Sequence, residues 1–296
     1  MRMVTESPEK FPMRCLALVA LFAFNLTACA AETYDLRGPA PEKGLKVSRK
    51  STLKIKDADV TVTIMGMKID LTQNLVIVNE DEDEVLEVKG REVVKLKTKV
   101  VKDSVNTVSD IGGTESKEDK TGDLEGEIVI AAKGKDGKWK NTLEDGKPTD
   151  EQKKELAKRE GPENDDELFP EEKVPVGHTW TVDASKMKSL TGPSFTDVSG
   201  KMKQKFLKLE KVDGEECAVI ETSGTFKGKM KDDNGTPDVE MTVKATGWRN
   251  LKTGIEVKGM IEGTIKVEGK LKMGDDEVEM KLVGKVEGSG TAKLKK

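Results

Sequence analysis

The chain has 296 residues, with 51 basic and 55 acidic side chains, a formal net charge of -4 and 4% aromatic residues. Interspersed charge of both signs excludes the clustered basic surface that binds nucleic acid, and so few aromatic rings exclude a base- or sugar-stacking platform. The length suits one large β domain or two small ones, with a core of Val, Ile, Leu and Met.

Cys15–Phe24 is an unbroken apolar run, preceded by Arg14 and ended by Asn25. As a helix it would span about 15 Å, too short for a bilayer core of ~30 Å. It reads as the apolar region of a signal peptide. Glu6 and Glu9 dilute the positive charge before it. A start at Met13 instead of Met1 would give a compact basic lead, and N-terminal mapping of the precursor decides between them.

Leu26-Thr27-Ala28-Cys29 follows. It resembles the bacterial lipobox, in which the cysteine is acylated and becomes the mature N-terminus. Residues 1–29 then form a lipoprotein signal peptide, and acylated Cys29 anchors an exported protein to a membrane, facing the periplasm or the cell surface. The competing reading is cleavage after Ala28-Cys29-Ala30, which leaves a soluble secreted protein. Cys15 departs with the signal peptide, so Cys217 is the one internal thiol and no disulfide framework is expected. Among aliphatic neighbours, Cys217 reads as a small hydrophobe and not as a nucleophile.

Residues 30–44 carry Gly38, Pro39, Pro41 and Gly44 and read as a tether. The β domain spans 45–296. Leu45, Val47, Leu53 and Ile55 share one strand face, and Ala58, Val60, Val62 and Ile64 share another. Gly66 marks a turn before a strand from Met67 to Ile77. Glu80–Glu84 reads as an acidic turn. Residues 103–124 read as a polar loop with its tip at Gly112-Gly113. A tighter hairpin runs from Glu127 to Leu143.

One helix is signalled at 150–160. Thr149 and Gln152 form a capping box, and Gly161-Pro162 stops the helix. Its charge makes it a solvated connector with Leu156 docked. A second short helix is expected over 183–190. The connector joins two halves, 45–144 and 174–296, of similar plan but without a clear residue-level repeat.

The second half is a meander. Met202 and Phe206 share a face, and a phase slip at Leu207 and Leu209 predicts a bulge. Asp213-Gly214 and Asn234-Gly235 are hairpin turns. The longest pattern is at the C-terminal end. Val257, Gly259, Ile261, Gly263 and Ile265 lie on one face of a strand. After a turn at Gly274-Asp275-Asp276, Met280, Leu282, Gly284 and Val286 continue that face. A strand of about nineteen residues runs ~60 Å, more than the ~45–50 Å breadth of a compact domain of this size. The hairpin must therefore coil, kink or project; a curved sheet is expected, and the competing reading is that glycine breaks the element into shorter strands. The recurring inward glycines allow backbones to approach closely there.

Signals for chemistry are few. His178 is the single histidine of the chain, so multi-histidine metal sites are excluded and a serine triad would depend on it alone. Asp232-Asp233-Asn234-Gly235 lacks the further ligands of a calcium loop. The acidic clusters at 80–84 and 163–167 read as solvated. Phosphate-binding and dinucleotide-binding glycine patterns are absent from the sequence. No catalytic residue, metal or cofactor is expected.

Phe169-Pro170 and Val174-Pro175-Val176-Gly177-His178-Thr179-Trp180 resemble the F-P…V-x-V-G-x-x-W segment of uncharacterised, exported, β-rich bacterial proteins of the kind abundant in planctomycetes. The resemblance covers about a dozen residues and implies export and an all-β fold, with no activity attached.

The expected fold is mostly β: a long-stranded, curved antiparallel sheet or incomplete barrel with one or two short helices. Two functions compete. The first is a cell-envelope lipoprotein whose apolar face (Val257, Gly259, Ile261, Gly263, Ile265, Met280, Leu282, Gly284, Val286) binds a lipid-like ligand, similar in architecture to lipoprotein-carrier half-barrels. The second is a structural or interaction protein in which that face is a packed core. An enzyme of unknown type is a distant third.

Overall fold

The computed structural model describes residues 31–159, 161–162, 165–188, 195–231, 234–273 and 276–295. The signal peptide, the lipobox with Cys29, residues 189–190 of the second expected helix, and the turn residues Asp232, Asp233, Gly274 and Asp275 lie outside them.

Alternating apolar and polar residues become strand along most of the chain. The first half contributes β1 (Thr33–Tyr34), β2 (Lys46–Ile64), β3 (Met67–Lys89), β4 (Glu92–Ile111), β5 (Thr114–Thr121), β6 (Ile128–Lys133) and β7 (Trp139–Leu143). Helix α1 (Asp150–Lys158) follows, with the capping box of Thr149 and Gln152 formed. The second half contributes β8 (Val174–Pro175), β9 (Thr179–Asp183), β10 (Phe195–Val212), β11 (Glu215–Met230), β12 (Asp238–Asn250), β13 (Glu256–Met273) and β14 (Asp276–Lys295).

Twelve of these strands form one antiparallel sheet in the order β7-β6-β4-β3-β2-β14-β13-β12-β11-β10-β9, with β5 branching from β4. The order has two ends, so the sheet does not close into a barrel. β2 and β14 pair in its middle, from Ile64↔Val278 to Lys46↔Lys295. The first and last long strands thus stitch the two halves into one sheet.

The inner face follows the alternation. Ile265, Val267, Val278 and Val286 are buried on β13 and β14, while the alternate residues Lys266, Glu279, Lys281, Val283 and Lys285 are exposed. Ile265, Val267 and Val286 join Met202, Phe226, Met241 and Val243 in one core cluster. The phase slip in β10 is a bulge between Phe206 and Lys208. Another bulge, between Ile55 and Ala58, carries Asp57 at φ 47°. It lets β2 run unbroken where two strands were expected. At Gly263 an added Cβ would collide with the Thr242 carbonyl oxygen and lie 3.0 Å from Val243 Cα. Neighbouring backbones meet more closely there than any side chain permits. On the outer face, Lys227–Glu240 (2.9 Å) and Lys281–Glu268 (2.7 Å) pair across strands. Such exposed pairs add little stability and keep the strands soluble.

Two local expectations are corrected. Glu80–Glu84 is not a turn but the middle of β3. Asp83 faces inward, where Arg49 and Thr98 bind its carboxylate, so charge pairing replaces the apolar signal. Residues 103–124 are not a loop: β4 continues to Ile111, turns at Gly112-Gly113 and returns as β5, every residue of which is exposed. In the segment read as a second helix, the described residues hold a 3-10 turn at Ala184–Lys186 followed by a helical residue, Lys188.

The long connection is the main topological feature. β7 and β9 lie at opposite ends of the strand order, ten steps of ~4.8 Å apart, or about 48 Å on a flat sheet. Residues 144–178 must bridge them, and they cross the inner face. Leu156 of α1 packs with Val100, Leu124 and Val129 under the first half. Leu168 and Phe169 then pack into the central cluster of the second half. Trp180 Nε1 donates to the Leu168 carbonyl at 2.9 Å and fixes the far end of the crossing.

The residues read as a tether are docked from Thr33 onward. β1 pairs with β8, and Leu36 is 1% exposed beside Val174 and Phe206.

Candidate functional site

A cavity of about 700 Å³ lies between the inner face of the sheet and the segment that crosses it. Its floor includes Val47 of β2, Val85 of β3 and Leu96 of β4, and its roof includes Leu168 and Phe169. The docked N-terminal segment supplies Pro39 and Pro41 to the wall.

Charge is concentrated in the same walls. The chain contains 44 lysines and seven arginines, the latter at positions 2, 14, 37, 49, 91, 159 and 249. All five arginines from residue 31 onward line this cavity, with Lys188 as its one lysine. Four carboxylates, Asp83, Glu92, Asp166 and Glu256, line it too. The cations exceed the anions by two.

The arginines hold distinct places. Arg91, in the turn between β3 and β4, grips Asp166 with Nε and Nη2 at 2.7 and 2.9 Å and donates to the Gly38 carbonyl at 2.9 Å. Arg249, on β12, is 3% exposed. It donates to the carbonyls of Leu36 and Arg37 and lies over the Phe169 ring. Both fasten the docked segment and the crossing segment to the sheet.

Arg37 donates through Nη2 to the Glu171 carbonyl, but its Nε is buried without a hydrogen-bond partner. The Asp35 carboxylate stands 3.8 Å from that nitrogen. Arg49 binds Asp83 at 2.5 Å. Arg159 follows α1 directly, and its Nη2 is 3.9 Å from Asp81 Oδ1, beyond hydrogen-bond length.

Behind this wall, Asp81 Oδ1 is buried without a hydrogen-bond partner. Burial pushes the Asp81 carboxyl up to about 6; Arg159 opposes the shift, and Asp83 and Asp103 add to it. Burial raises Asp103 as well. Desolvation thus disfavours the charged form of both carboxyl groups.

The sequence-derived ligand face lies elsewhere. Ile265 and Val286 are buried in the central cluster, and Ile261, Met280 and Leu282 pack against it. Val257, Gly259, Gly263 and Gly284 share the face. Gly284 closely meets Ile55 and Ala58. None of these nine residues lines the large cavity. Five of the nine fill or border the neighbouring core, and Ile261 alone of them reaches a shallower depression of about 500 Å³ beside Trp248 and Met260.

The Phe169…Trp180 motif builds the crossing. The two rings are 6.3 Å apart, and His178 stacks on Trp180 at 5.9 Å. Cys217 is fully buried and its thiol is raised by burial. Among the described residues, no three metal-ligating side chains converge and no helix is long and apolar enough to cross a membrane.

Sequence reasoning missed the arginines. The usable signal was the imbalance between 44 lysines and seven arginines. A chain that uses lysine for solubility reserves arginine for sites needing a planar fork.

No family model and no curated protein matches the chain. Among solved structures it aligns with a crystal structure of a DUF1329 family protein from Desulfovibrio piger ATCC 29098. The alignment has 8% identity over 85% of each chain and a TM-score of 0.14. A score that low leaves fold and function to be argued from the chain's own residues.

Proposed function

We propose that this chain is an exported cell-envelope lipoprotein that binds a small, largely apolar ligand, and that binding, not catalysis, is its role. The observation that carries this reading is the cavity of about 700 Å³ with Val47, Val85 and Leu96 below and Leu168 and Phe169 above. Volumes of ~300–1,000 Å³ with apolar walls and a few placed polar groups are typical of small-molecule sites. The lipobox at Cys29 supports placement at a membrane, where apolar ligands are abundant.

A second reading has its own support. The inner face of β10–β14 is filled by its own side chains, as in a protein that only presents a surface to partners.

The protein should be purified from its native envelope without detergent exchange, extracted with organic solvent and examined by mass spectrometry. A stoichiometric apolar molecule is expected, and Leu45→Trp, which adds bulk to the cavity wall, should lose it. No co-purifying molecule would leave the second reading in place. Labelling with a radioactive fatty acid tests the anchor: label should enter the wild type and be lost in Cys29→Ala.

A further inference from the structure

We infer that the ligand of this cavity is a single-chain anionic amphiphile whose head group is held by Arg37 and Arg159. This rests on the apolar-ligand reading above and assigns it a chemical class.

The cations are partitioned between two environments. Lysine serves the outer faces, as in Lys227 and Lys281. Every arginine from residue 31 onward lines one cavity instead. Solubility does not require this, because a lysine there would carry the same charge. What arginine adds is a planar set of donors matching a carboxylate, sulfate or phosphate.

Charge pairing in the cavity walls is incomplete. Six cationic and four acidic side chains line the cavity. Half-buried cations in apolar walls are costly without a counter-charge. Arg91 and Arg249 are committed to Asp166 and to backbone carbonyls. Arg37 has a buried Nε with no hydrogen bond, and Arg159 stands 3.9 Å from Asp81. Arg37 and Arg159 thus make only long ion pairs, 3.8 Å to Asp35 and 3.9 Å to Asp81, and an anion entering the cavity supplies a closer one.

Size limits the ligand further. At ~30 Å³ per water-sized group, the cavity holds roughly twenty heavy atoms. That is one acyl chain with a small head, and well short of a two-chain lipid. Leu96, Leu168 and Phe169 offer the chain apolar contact.

The test compares head groups on one tail. Full chain carrying Cys29→Ala, which removes the acylation site, is stripped of bound lipid. It is then titrated calorimetrically at pH 8 with dodecanoate, dodecyl sulfate, dodecanol and methyl dodecanoate, each below its aggregation concentration. Both anions should bind at least tenfold more tightly than both neutral compounds. Arg37→Gln and Arg159→Gln should each weaken the anions at least fivefold and leave dodecanol unchanged. The head-group comparison uses a single protein, so a variant that folds poorly does not decide it. Equal binding of anions and neutrals overturns the assignment and leaves the apolar-ligand reading standing. Binding of none of the four overturns both.

Discussion

The Arg249 guanidinium lies over the Phe169 ring, with its Cζ 4.2 Å from the ring centroid. One residue belongs to β12 and the other to the segment that crosses the sheet. Arg249 also donates to the carbonyls of Leu36 and Arg37. A single buried side chain thus joins the sheet, the crossing segment and the docked N-terminal stretch.

Arg249→Met should therefore cost more than an ordinary surface change. It leaves two carbonyls without their charged donor and removes the ring contact. Charge-assisted hydrogen bonds contribute ~1.5–3 kcal/mol each, and a desolvated cation–π contact up to about 2 kcal/mol. A loss of about 2–4 kcal/mol is expected from urea unfolding. Arg249→Lys should recover less than half, because an ammonium cannot span both carbonyls and lie flat on the ring.

The crossing segment should be held by its apolar residues. Leu168 is 7% exposed within the central cluster, so Leu168→Ala should cost about 2–4 kcal/mol. Trp180→Phe keeps most of the ring contact but removes the Nε1 donor to the Leu168 carbonyl. About 1 kcal/mol is expected for that change. Hydrogen exchange at residues 165–170 should rise in both variants before exchange in β13 does.

Asp81 sets a pH dependence of known sign. Its folded value of about 6 exceeds the ordinary 3.8, so the folded chain binds this proton more tightly than the unfolded chain. Its ionised form opposes folding above pH ~6. That cost falls away as the pH drops from about 6 toward 4. A shift of ~2 pK units corresponds to up to ~3 kcal/mol. Asp81→Asn should stabilise the protein by about 1–3 kcal/mol at pH 8 and lose that advantage near pH 4, read from urea midpoints at the two values. Destabilisation by Asp81→Asn at pH 8 would contradict the assignment.

The inward glycines should differ according to what surrounds them. A methyl group at Gly263 meets backbone of Thr242 and Val243, whereas at Gly290 its nearest neighbour is the Lys50 carbonyl oxygen at 3.6 Å. Gly263→Ala should cost more than 2 kcal/mol, since backbone has to move. Gly290→Ala should be neutral or gain about 0.5 kcal/mol by reducing the freedom of the unfolded chain. Thermal unfolding of the two variants separates these outcomes.

The meander was readable from residues because its signal is local. Odd residues of β13 and even residues of β14 face inward as their alternation requires, and the turns at Gly66 and Asp213-Gly214 are where their chemistry puts them. Three features were not readable. β5 has no buried residue, so period two had nothing to mark. The run at 80–84 hides a strand because Asp83 turns inward to Arg49, and acidic residues on an inner face mimic a turn. The cavity joins residues from Arg37 to Glu256 through a crossing that no local pattern encodes. Its arginines were visible only as a scarcity, and the topology gives that scarcity a place.

The most direct measurement is a crystal structure of the full chain with a fatty acid carrying bromine at its tail end, located by anomalous scattering. One bromine peak is expected beneath Leu168 and Phe169, with the carboxylate density at Arg37 and Arg159. An empty cavity, or a peak on the outer face beside Trp248 and Met260, would contradict it.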